Sequence, residues 1–285
     1  MRKLAHPKKA GMDAVFALIR NAAPVISEGI KWNAPSFCAD GSRISIWREF
    51  KMPDNPQIIQ PATSISDQVD AVLQWLNAHA TKATLDGMAR YAIPSDNAVG
   101  VAMKDMKVLG NRLGRNHGLA LALWETGVYE ARMVVSLVGD PLKITSAEMD
   151  RWCKDIDNWA YCDTLCFNLF DRTPHAWKKV SQWSKRREEF VKRTAFALLW
   201  SLALHDRQSA DAEFLTGLKL IKAAATDERN FVKKAVSMAL KAIGKRRGPA
   251  LKSAAVASAQ RLAESTDPTA RWIGRDARRE FAKRA

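Results

Sequence analysis

A four-residue block that recurs every 41 residues constrains the fold more than any other feature of this sequence. FVKR at 190–193 returns as FVKK at 231–234 and, more weakly, as WIGR at 272–275. A period near 40 residues is typical of stacked two-helix units, each of which buries its apolar face against its neighbours. The aromatic and branched positions of the block are therefore predicted to be core. Its basic fourth positions are predicted to line up as a ladder of cations along one surface: Arg193, Lys234 and Arg275.

Apolar residues at helical spacing extend this pattern over most of the chain. A helix is predicted to open at Ser66-Asp67, and three more are predicted over Met103–Leu113, Leu119–Thr126 and Glu130–Val138. Thr145 and Glu148 have the spacing of a capping box, and Thr173-Pro174 is interpreted as an N-cap followed by proline at the first helical position. The predicted fold is mainly α, a right-handed α–α superhelix of the HEAT or armadillo type with a small N-terminal appendage.

Residues 1–60 follow a different pattern. A helix is expected over Pro7–Asn21, a short strand over Ile44–Trp47 and a proline-rich linker over Asp54–Pro61. The run from His6 to Phe37 resembles the start of a small YdhG-like domain of unknown function, and the similarity fades after about Trp47. We therefore expect two domains, a truncated YdhG-like segment with its linker over 1–60 and a helical solenoid over 61–285.

The charge of the chain is concentrated in its C-terminal part. The formal net charge is +15, and residues 171–285 hold 26 Lys and Arg against 12 Asp and Glu, whereas residues 1–170 hold 19 against 18. A basic excess of this kind favours a polyanionic partner, and nucleic acid is the first candidate. The alternative is a basic solvated surface that has no partner.

Trp159 and Asp163 are the strongest candidates for chemistry. They lie four residues apart, so a helix would place them on one face, one turn apart, after a start that Asp157 and Asn158 can cap. An indole beside a carboxylate favours a cation. A purine methylated on a ring nitrogen is a cation carried on a phosphate backbone, so alkylated DNA suits an acidic, aromatic site in a basic chain. The alternative is a core tryptophan next to a helix-capping aspartate.

The four cysteines contain no CxxC pair, and we expect buried free thiols in a reducing cytoplasm. Zinc chemistry through Cys162 and Cys166 is left as a minor alternative, and no metal or cofactor is predicted. No secretory signal and no membrane-spanning stretch are recognisable. A solenoid needs no partner to complete its core, so a cytoplasmic monomer is expected.

Several blocks together resemble the AlkD family of DNA alkylation-repair glycosylases, which are HEAT-like solenoids. The similarity extends from about Ser66 to the C-terminal end, and it is carried by MARY at 88–91, LALWETGVYEAR at 121–132, MDRWCKDIDNWAYCDTLCFNLF at 149–170, TPHAW at 173–177, EFVKRTAFALL at 189–199 and TDERNFVKKA at 226–235.

This resemblance implies roles for particular residues. The family's catalytic aspartate and the tryptophan one turn earlier fall on Asp163 and Trp159, and its lesion-side arginine falls on Arg193. A second lesion-facing tryptophan of the family falls on Met238, which has no π face and offers only soft contacts. The predicted DNA contacts are Arg193, Lys192, Lys233, Lys234, Arg275, Met238 and Tyr91.

The resemblance also implies a reaction, hydrolysis of the N-glycosidic bond of N3- or N7-alkylated purines in double-stranded DNA. No lysine nucleophile stands out, so a monofunctional glycosylase without strand cleavage is expected. Family members probe the lesion on a concave surface while the base stays stacked, whereas many glycosylases flip the base, and the sequence leaves both open. The rival interpretation is a non-catalytic HEAT-like module that binds DNA or an acidic protein.

Overall fold

The computed structural model describes residues 64–246 and 248–283, together with the backbone of residues 27–31, 34–39 and 42–45. The chain divides into two compact units, Met1–Gln57 and Ile58–Ala285. Each unit has its own secondary structure, and the two are described separately below.

In the N-terminal unit, the described residues form a three-stranded antiparallel sheet in the order β1-β2-β3. The strands are β1 Ser27–Lys31, β2 Ala34–Ala39 and β3 Ser42–Ser45. Ser27 pairs with Cys38, and Ser36 pairs with Ser45. The strand predicted at Ile44–Trp47 overlaps β3 in its first two residues; its other two lie outside the described residues, as do the predicted helix at Pro7–Asn21 and the predicted linker.

The C-terminal unit is helical, which confirms the predicted mainly α class. Over the described residues it contains thirteen α-helices and two short 3-10 helices, at Met88–Tyr91 and Phe170–Arg172. The α-helices are α1 Ile65–Ala78, α2 Lys82–Gly87, α3 Met103–Leu113, α4 His117–Glu125, α5 Tyr129–Val138, α6 Ser146–Lys154, α7 Trp159–Asn168, α8 Ala176–Trp183, α9 Glu189–His205, α10 Asp211–Ala224, α11 Asn230–Ile243, α12 Pro249–Ala263 and α13 Pro268–Ala282.

These helices stack in two rows. Along the odd-numbered row, each helix from α3 to α13 contacts the next odd-numbered helix, and α4, α8, α10 and α12 pack on α5, α9, α11 and α13. Helix α9 contacts helices of both rows, which is why its sequence is apolar on nearly every face. The 41-residue repeat therefore corresponds to one two-helix unit, as predicted: Phe190 and Phe231 are the second residues of α9 and α11.

The core lies between the two rows. Trp124 of α4 and Trp152 of α6 are fully buried and stack with their ring centroids 5.0 Å apart. At the C-terminal end of the unit, Gly274 allows α12 and α13 to approach closely, because a Cβ at this position would lie 2.1 Å from the backbone nitrogen of Ala263. The helices are thus held by apolar burial and close backbone contact.

The helix starts test the capping predictions one by one. Thr145 and Glu148 form the predicted capping box at α6. Helix α1 begins one residue before the predicted start, because Ser64 caps it and Asp67 completes a capping box. The predicted N-cap at Thr173 is wrong: its hydroxyl donates to the carbonyl of Phe170, and α8 begins only at Ala176, after a turn. Among the described helices, none is long and apolar enough to cross a membrane.

Candidate active site

Helix α7 begins where the sequence predicted, and its first two turns carry Trp159 and Asp163. The Asn158 side chain accepts a hydrogen bond from the backbone N–H of Tyr161 at 3.1 Å, so Asn158 is the N-cap. Trp159 is the first helical residue, and Asp163 follows one turn later on the same face. The cap therefore fixes the direction in which both side chains leave the helix.

Trp159 and Asp163 line one open cleft of about 500 Å³. Its other walls come from the 3-10 helix at Met88–Tyr91 and from α9, α11 and α13, so that most of it is built on the odd-numbered row. The chemically distinctive side chains that line it are Arg90, Tyr91, Trp159, Asp163, Arg193, Trp200, Phe231, Lys234, Met238, Lys241, Trp272 and Asp276. A cleft with five aromatic rings, several cations and two carboxylates suits a flat, charged ligand.

Arg193 holds Asp163 in place. Its Nη2 donates to Asp163 Oδ1 at 2.7 Å, and its Nη1 donates to the backbone carbonyl of Phe231 at 2.9 Å. The Arg193 residue is only 6% exposed, while the Asp163 side chain keeps 22% of its surface exposed. Within the described residues, Asp163 Oδ2 has no hydrogen-bond partner, so one carboxylate oxygen is anchored and the other remains available to the cleft.

The environment of Asp163 favours a positive ligand. Burial raises the pKa of its carboxyl above the ordinary value, and the Arg193 guanidinium offsets part of that rise. Ionised Asp163 is therefore only partly stabilised by the protein. A cation placed near Oδ2 would supply the remaining stabilisation, which is the behaviour expected of a carboxylate that acts on a positively charged group.

Trp159 is held from the opposite wall. Its Nε1–H donates to the carbonyl of Tyr91 at 2.7 Å, and the 3-10 helix ends there because Ala92 takes a left-handed conformation with φ of 52°. The segment that follows is fixed by buried Glu130, whose carboxylate accepts from the backbone N–H groups of Val99, Gly100 and Val101. Tyr91 itself is 64% exposed and lines the cleft.

Met238 lies in the cleft, at the position where the family resemblance implied a lesion-facing side chain. It is half-buried on α11, one turn before Lys241. Lys241 and Ser237 both donate to Asp276 Oδ2, at 2.8 and 2.6 Å. The second carboxylate of the cleft is thus already neutralised by its neighbours, whereas Asp163 is not fully so.

The prediction that three equivalent cations line one surface is wrong for Arg193. Lys234 and Arg275 are exposed, and the described residues offer them no ion pair, but Arg193 is buried. The reason is Asp163: α7 presents a carboxylate to Arg193, while the only acidic residue of α9, Glu189 in its first turn, makes no ion pair with Lys234.

Two further predicted DNA contacts already have partners in the protein. Lys192 Nζ lies 3.0 Å from Asp227 Oδ2, and Arg229 binds the same carboxylate at 2.6 Å. Lys233 Nζ lies 5.0 Å from the ring centroid of Trp272. Their roles in DNA binding stay predictions, and each must leave or share its present partner to contact a phosphate.

Sequence reasoning missed two tryptophans of the cleft. Trp200 lies two turns after Arg193 on α9, and its ring meets Phe167 edge-on at 4.6 Å. Trp272 was expected to be core because it occupies the aromatic position of the repeat, but it is 37% exposed. Its weaker match to the repeat was the available signal, since the block that departs most from the pattern has a different environment.

No group of three or more His, Cys, Asp or Glu side chains suited to a metal ion occurs in the part of the chain that the structure describes. Cys162 and Cys166 are buried, and burial raises the pKa of each thiol. Cys162 accepts a hydrogen bond from the Thr194 hydroxyl at 3.1 Å. These thiols fill the interface between α7 and α9.

Comparison with known proteins decides the family. A family model described as "DNA alkylation repair enzyme" matches residues 72–281, which is most of the helical unit. The chain belongs to the DNA alkylation repair enzyme family. No curated protein matches the sequence.

The chain of this DNA alkylation repair family member is also similar in fold to a solved structure. It is described as "a new family of proteins related to the HEAT-like repeat DNA glycosylases with affinity for branched DNA structures". The TM-score is 0.62 at 19% sequence identity, and the match covers 74% of this chain and 94% of that chain. The helical unit is therefore a HEAT-like repeat fold, as the sequence predicted.

Proposed function

We propose that this protein is a monofunctional DNA glycosylase that hydrolyses the N-glycosidic bond of cationic N3- or N7-alkylated purines in double-stranded DNA. The observation that carries the proposal is Asp163, a carboxylate with one free oxygen that faces an aromatic cleft in a strongly basic protein. A surface that only held the phosphate backbone would be weakened by a carboxylate that faces its ligand.

A single carboxylate is sufficient for this chemistry because the leaving group is already charged. Glycosidases that act on neutral sugars need a general acid beside the second carboxylate. In an alkylated purine, the C1′–N9 bond breaks and its electron pair goes to N9. This pair neutralises the positive charge of the ring system, so the base leaves neutral. A water oxygen then bonds to C1′, and its proton passes to the Asp163 carboxylate or to solvent.

Asp163 Oδ2 stabilises the oxocarbenium-like charge on the deoxyribose and positions the water. Trp159, fixed by the Tyr91 carbonyl, packs against the sugar or the base and favours the cationic lesion. Arg193 acts as a positioning residue: it orients Asp163 through a 2.7 Å hydrogen bond and is too buried to serve first as a phosphate contact.

Lys234 and Arg275 are the cations best placed to hold the DNA backbone. Both are exposed on the odd-numbered row and lack ion pairs among the described residues, so neither loses a partner when it meets a phosphate. Phosphate contacts of this kind place the duplex without selecting its sequence. We expect the protein to act as a monomer in the cytoplasm.

The test is release of 3-methyladenine or 7-methylguanine from methylated duplex DNA by wild type and by Asp163→Asn. The variant keeps an amide oxygen that can accept from Arg193, so its fold and its affinity for duplex should persist while base release is lost. Release that is equal in both proteins would overturn the assignment of Asp163.

A second candidate function is DNA binding without catalysis. Met238 favours it, since methionine cannot make the cation–π contact of a tryptophan. The structural neighbour with affinity for branched DNA also favours it, although at 19% identity the likeness concerns the fold. Wild type that releases no base but binds a DNA junction more tightly than a linear duplex would decide for this alternative.

A further inference from the structure

Helix α13 presents one face of which the proposed function uses only Arg275. Residues spaced three or four apart along it line an open groove of about 830 Å³, and the charged and aromatic members are Arg271, Trp272, Arg275, Arg278 and Arg279. This spacing places all of them on one side of the helix. None of the described residues that line this groove is acidic, and we call it the α13 groove.

Two of its arginines have no competing partner among the residues that the structure describes. Arg275 and Arg278 are exposed, and among the described residues neither makes a hydrogen bond or an ion pair. Arg271 is anchored to the carbonyls of Ser265 and Thr266, and Arg279 lies 3.6 Å from Asp276. The guanidinium groups of these four arginines lie on successive turns of one helix face and repel one another. A polyanion is therefore the ligand that this face favours.

Trp272 connects the α13 groove to the candidate active site, because it lines both. Lys233 Nζ lies over the ring at 5.0 Å from its centroid, and the residue still keeps 37% of its surface exposed. An indole held by a cation on one side and open on the other is a stacking platform. A base inside an intact duplex is already stacked on its neighbours, so this platform requires an unpaired base.

We infer that the α13 groove binds an unpaired DNA strand, with one nucleobase stacked on Trp272 and its phosphates held by Arg275 and Arg278. The inference rests on the proposed DNA-binding function of the cleft and adds a ligand class to it: duplex DNA that ends in, or opens into, a single strand next to the active site. Stacking on an aromatic ring is tolerant of sequence, because every base has a π face.

The test is a pair of affinities, measured by fluorescence anisotropy in the Asp163→Asn background so that no base is released. One ligand is a blunt duplex, and the other is the same duplex with a single-stranded overhang of about six nucleotides. The parent protein should bind the overhang ligand about tenfold more tightly than the blunt one. Trp272→Ala should reduce this ratio to about one, Trp272→Phe should retain most of it, and Arg278→Gln should lower it about threefold.

The double variant Lys219→Gln/Lys222→Gln is the matched control, because both lysines are exposed on α10 and line neither cleft. Its overhang-to-blunt ratio should equal that of the parent. A parent ratio near one would overturn the inference, and so would a Trp272→Ala variant whose affinities fall equally for both ligands. Base release from blunt methylated duplex by the wild type is scored separately, so failure of the α13 groove is distinguishable from failure of the glycosylase proposal.

Discussion

The repeat places a basic residue at the same position on α9, α11 and α13, yet the two regions that these residues occupy differ in their electrostatic surroundings. In the first region, beside α7, Arg193 is buried and bonded to Asp163; in the second, on α11 and α13, Lys234 and Arg275 are exposed and make no ion pair with any described residue. The difference follows from one residue, the carboxylate that α7 presents to α9. The repeat therefore sets the helix position of each basic residue. The residues around each one determine whether it supports the chemistry or binds a polyanion.

The largest effect is expected from breaking the ion pair between Arg193 and Asp163. Arg193→Gln removes the cation from a partly buried carboxylate and should lower the free energy of unfolding by about 3 kcal/mol.

The pKa of Asp163 is already raised by burial, so wild-type base release should fall on acidification at a pH above the ordinary Asp value of about 3.9. Without the offset from Arg193, that decline should move to still higher pH.

The control for Arg193→Gln is the double variant Arg193→Gln/Asp163→Asn. It buries neither charge, so it should recover part of the stability that the single variant loses, as measured by urea unfolding. Equal stability of the single and double variants would show that the ion pair does not organise this end of the cleft.

A second prediction concerns Asp227, which forms an ion pair with Lys192. Hydrogen bonds from Arg229 and Lys192 lower the pKa of Asp227 to about 2, although burial opposes them. Because this pKa is depressed, the stabilisation is complete above the unfolded value near 4 and is lost as the pH falls towards 2.

Asp227→Asn should therefore lower the free energy of unfolding at neutral pH by about 1 to 2 kcal/mol, and the difference from wild type should shrink between about pH 4 and pH 2. Asp86→Asn removes a surface ion pair with Lys82 and should change stability by no more than about 0.5 kcal/mol. A loss at neutral pH as small as that of Asp86→Asn would mean that Lys192 is free to act with the exposed cations.

The contribution of the exposed residues Lys234 and Arg275 to DNA affinity should depend on salt concentration. Lys234→Gln/Arg275→Gln should lower the affinity for duplex DNA about tenfold near 0.1 M salt and reduce the slope of log affinity against log salt by about two. Lys219→Gln/Lys222→Gln, which removes the same charge from α10, should leave that slope unchanged. An equal change in both variants would attribute binding to net charge rather than to the odd-numbered row.

The smallest effect is predicted for a substitution at Met238, which adds an aromatic ring on α11 to match Trp159 on α7. Met238→Trp adds a second π face to the cleft that Trp159 lines and should raise base release from a cationic purine about fivefold, the size expected for a half-exposed cation–π contact. Met238→Leu keeps an apolar side chain of similar size and should leave the rate near that of wild type. A gain that is equal for both substitutions would indicate packing rather than cation recognition.

The sequence predicted the fold well and the site in part, for identifiable reasons. Helical periodicity and the 41-residue repeat depend on local spacing, so the starts of α3, α6 and α7 and the two-helix unit could be inferred. The pairing of Trp159 with Asp163 depends on one helical turn and was equally accessible. By contrast, the burial of Arg193 and the ion pair of Lys192 with Asp227 depend on residues 30 or more positions away, and no local pattern reports them.

The central claim is that Asp163 supplies catalysis and is not needed for binding. The most direct measurement is single-turnover release of methylated purine from duplex DNA, with wild type, Asp163→Asn and the control Asp70→Asn compared at saturating protein; Asp70 is an exposed carboxylate on α1 that lines neither cleft. We predict that Asp163→Asn loses about a thousandfold in rate, keeps its duplex affinity within about threefold, and that Asp70→Asn matches wild type. Base release by Asp163→Asn at the wild-type rate would contradict the claim.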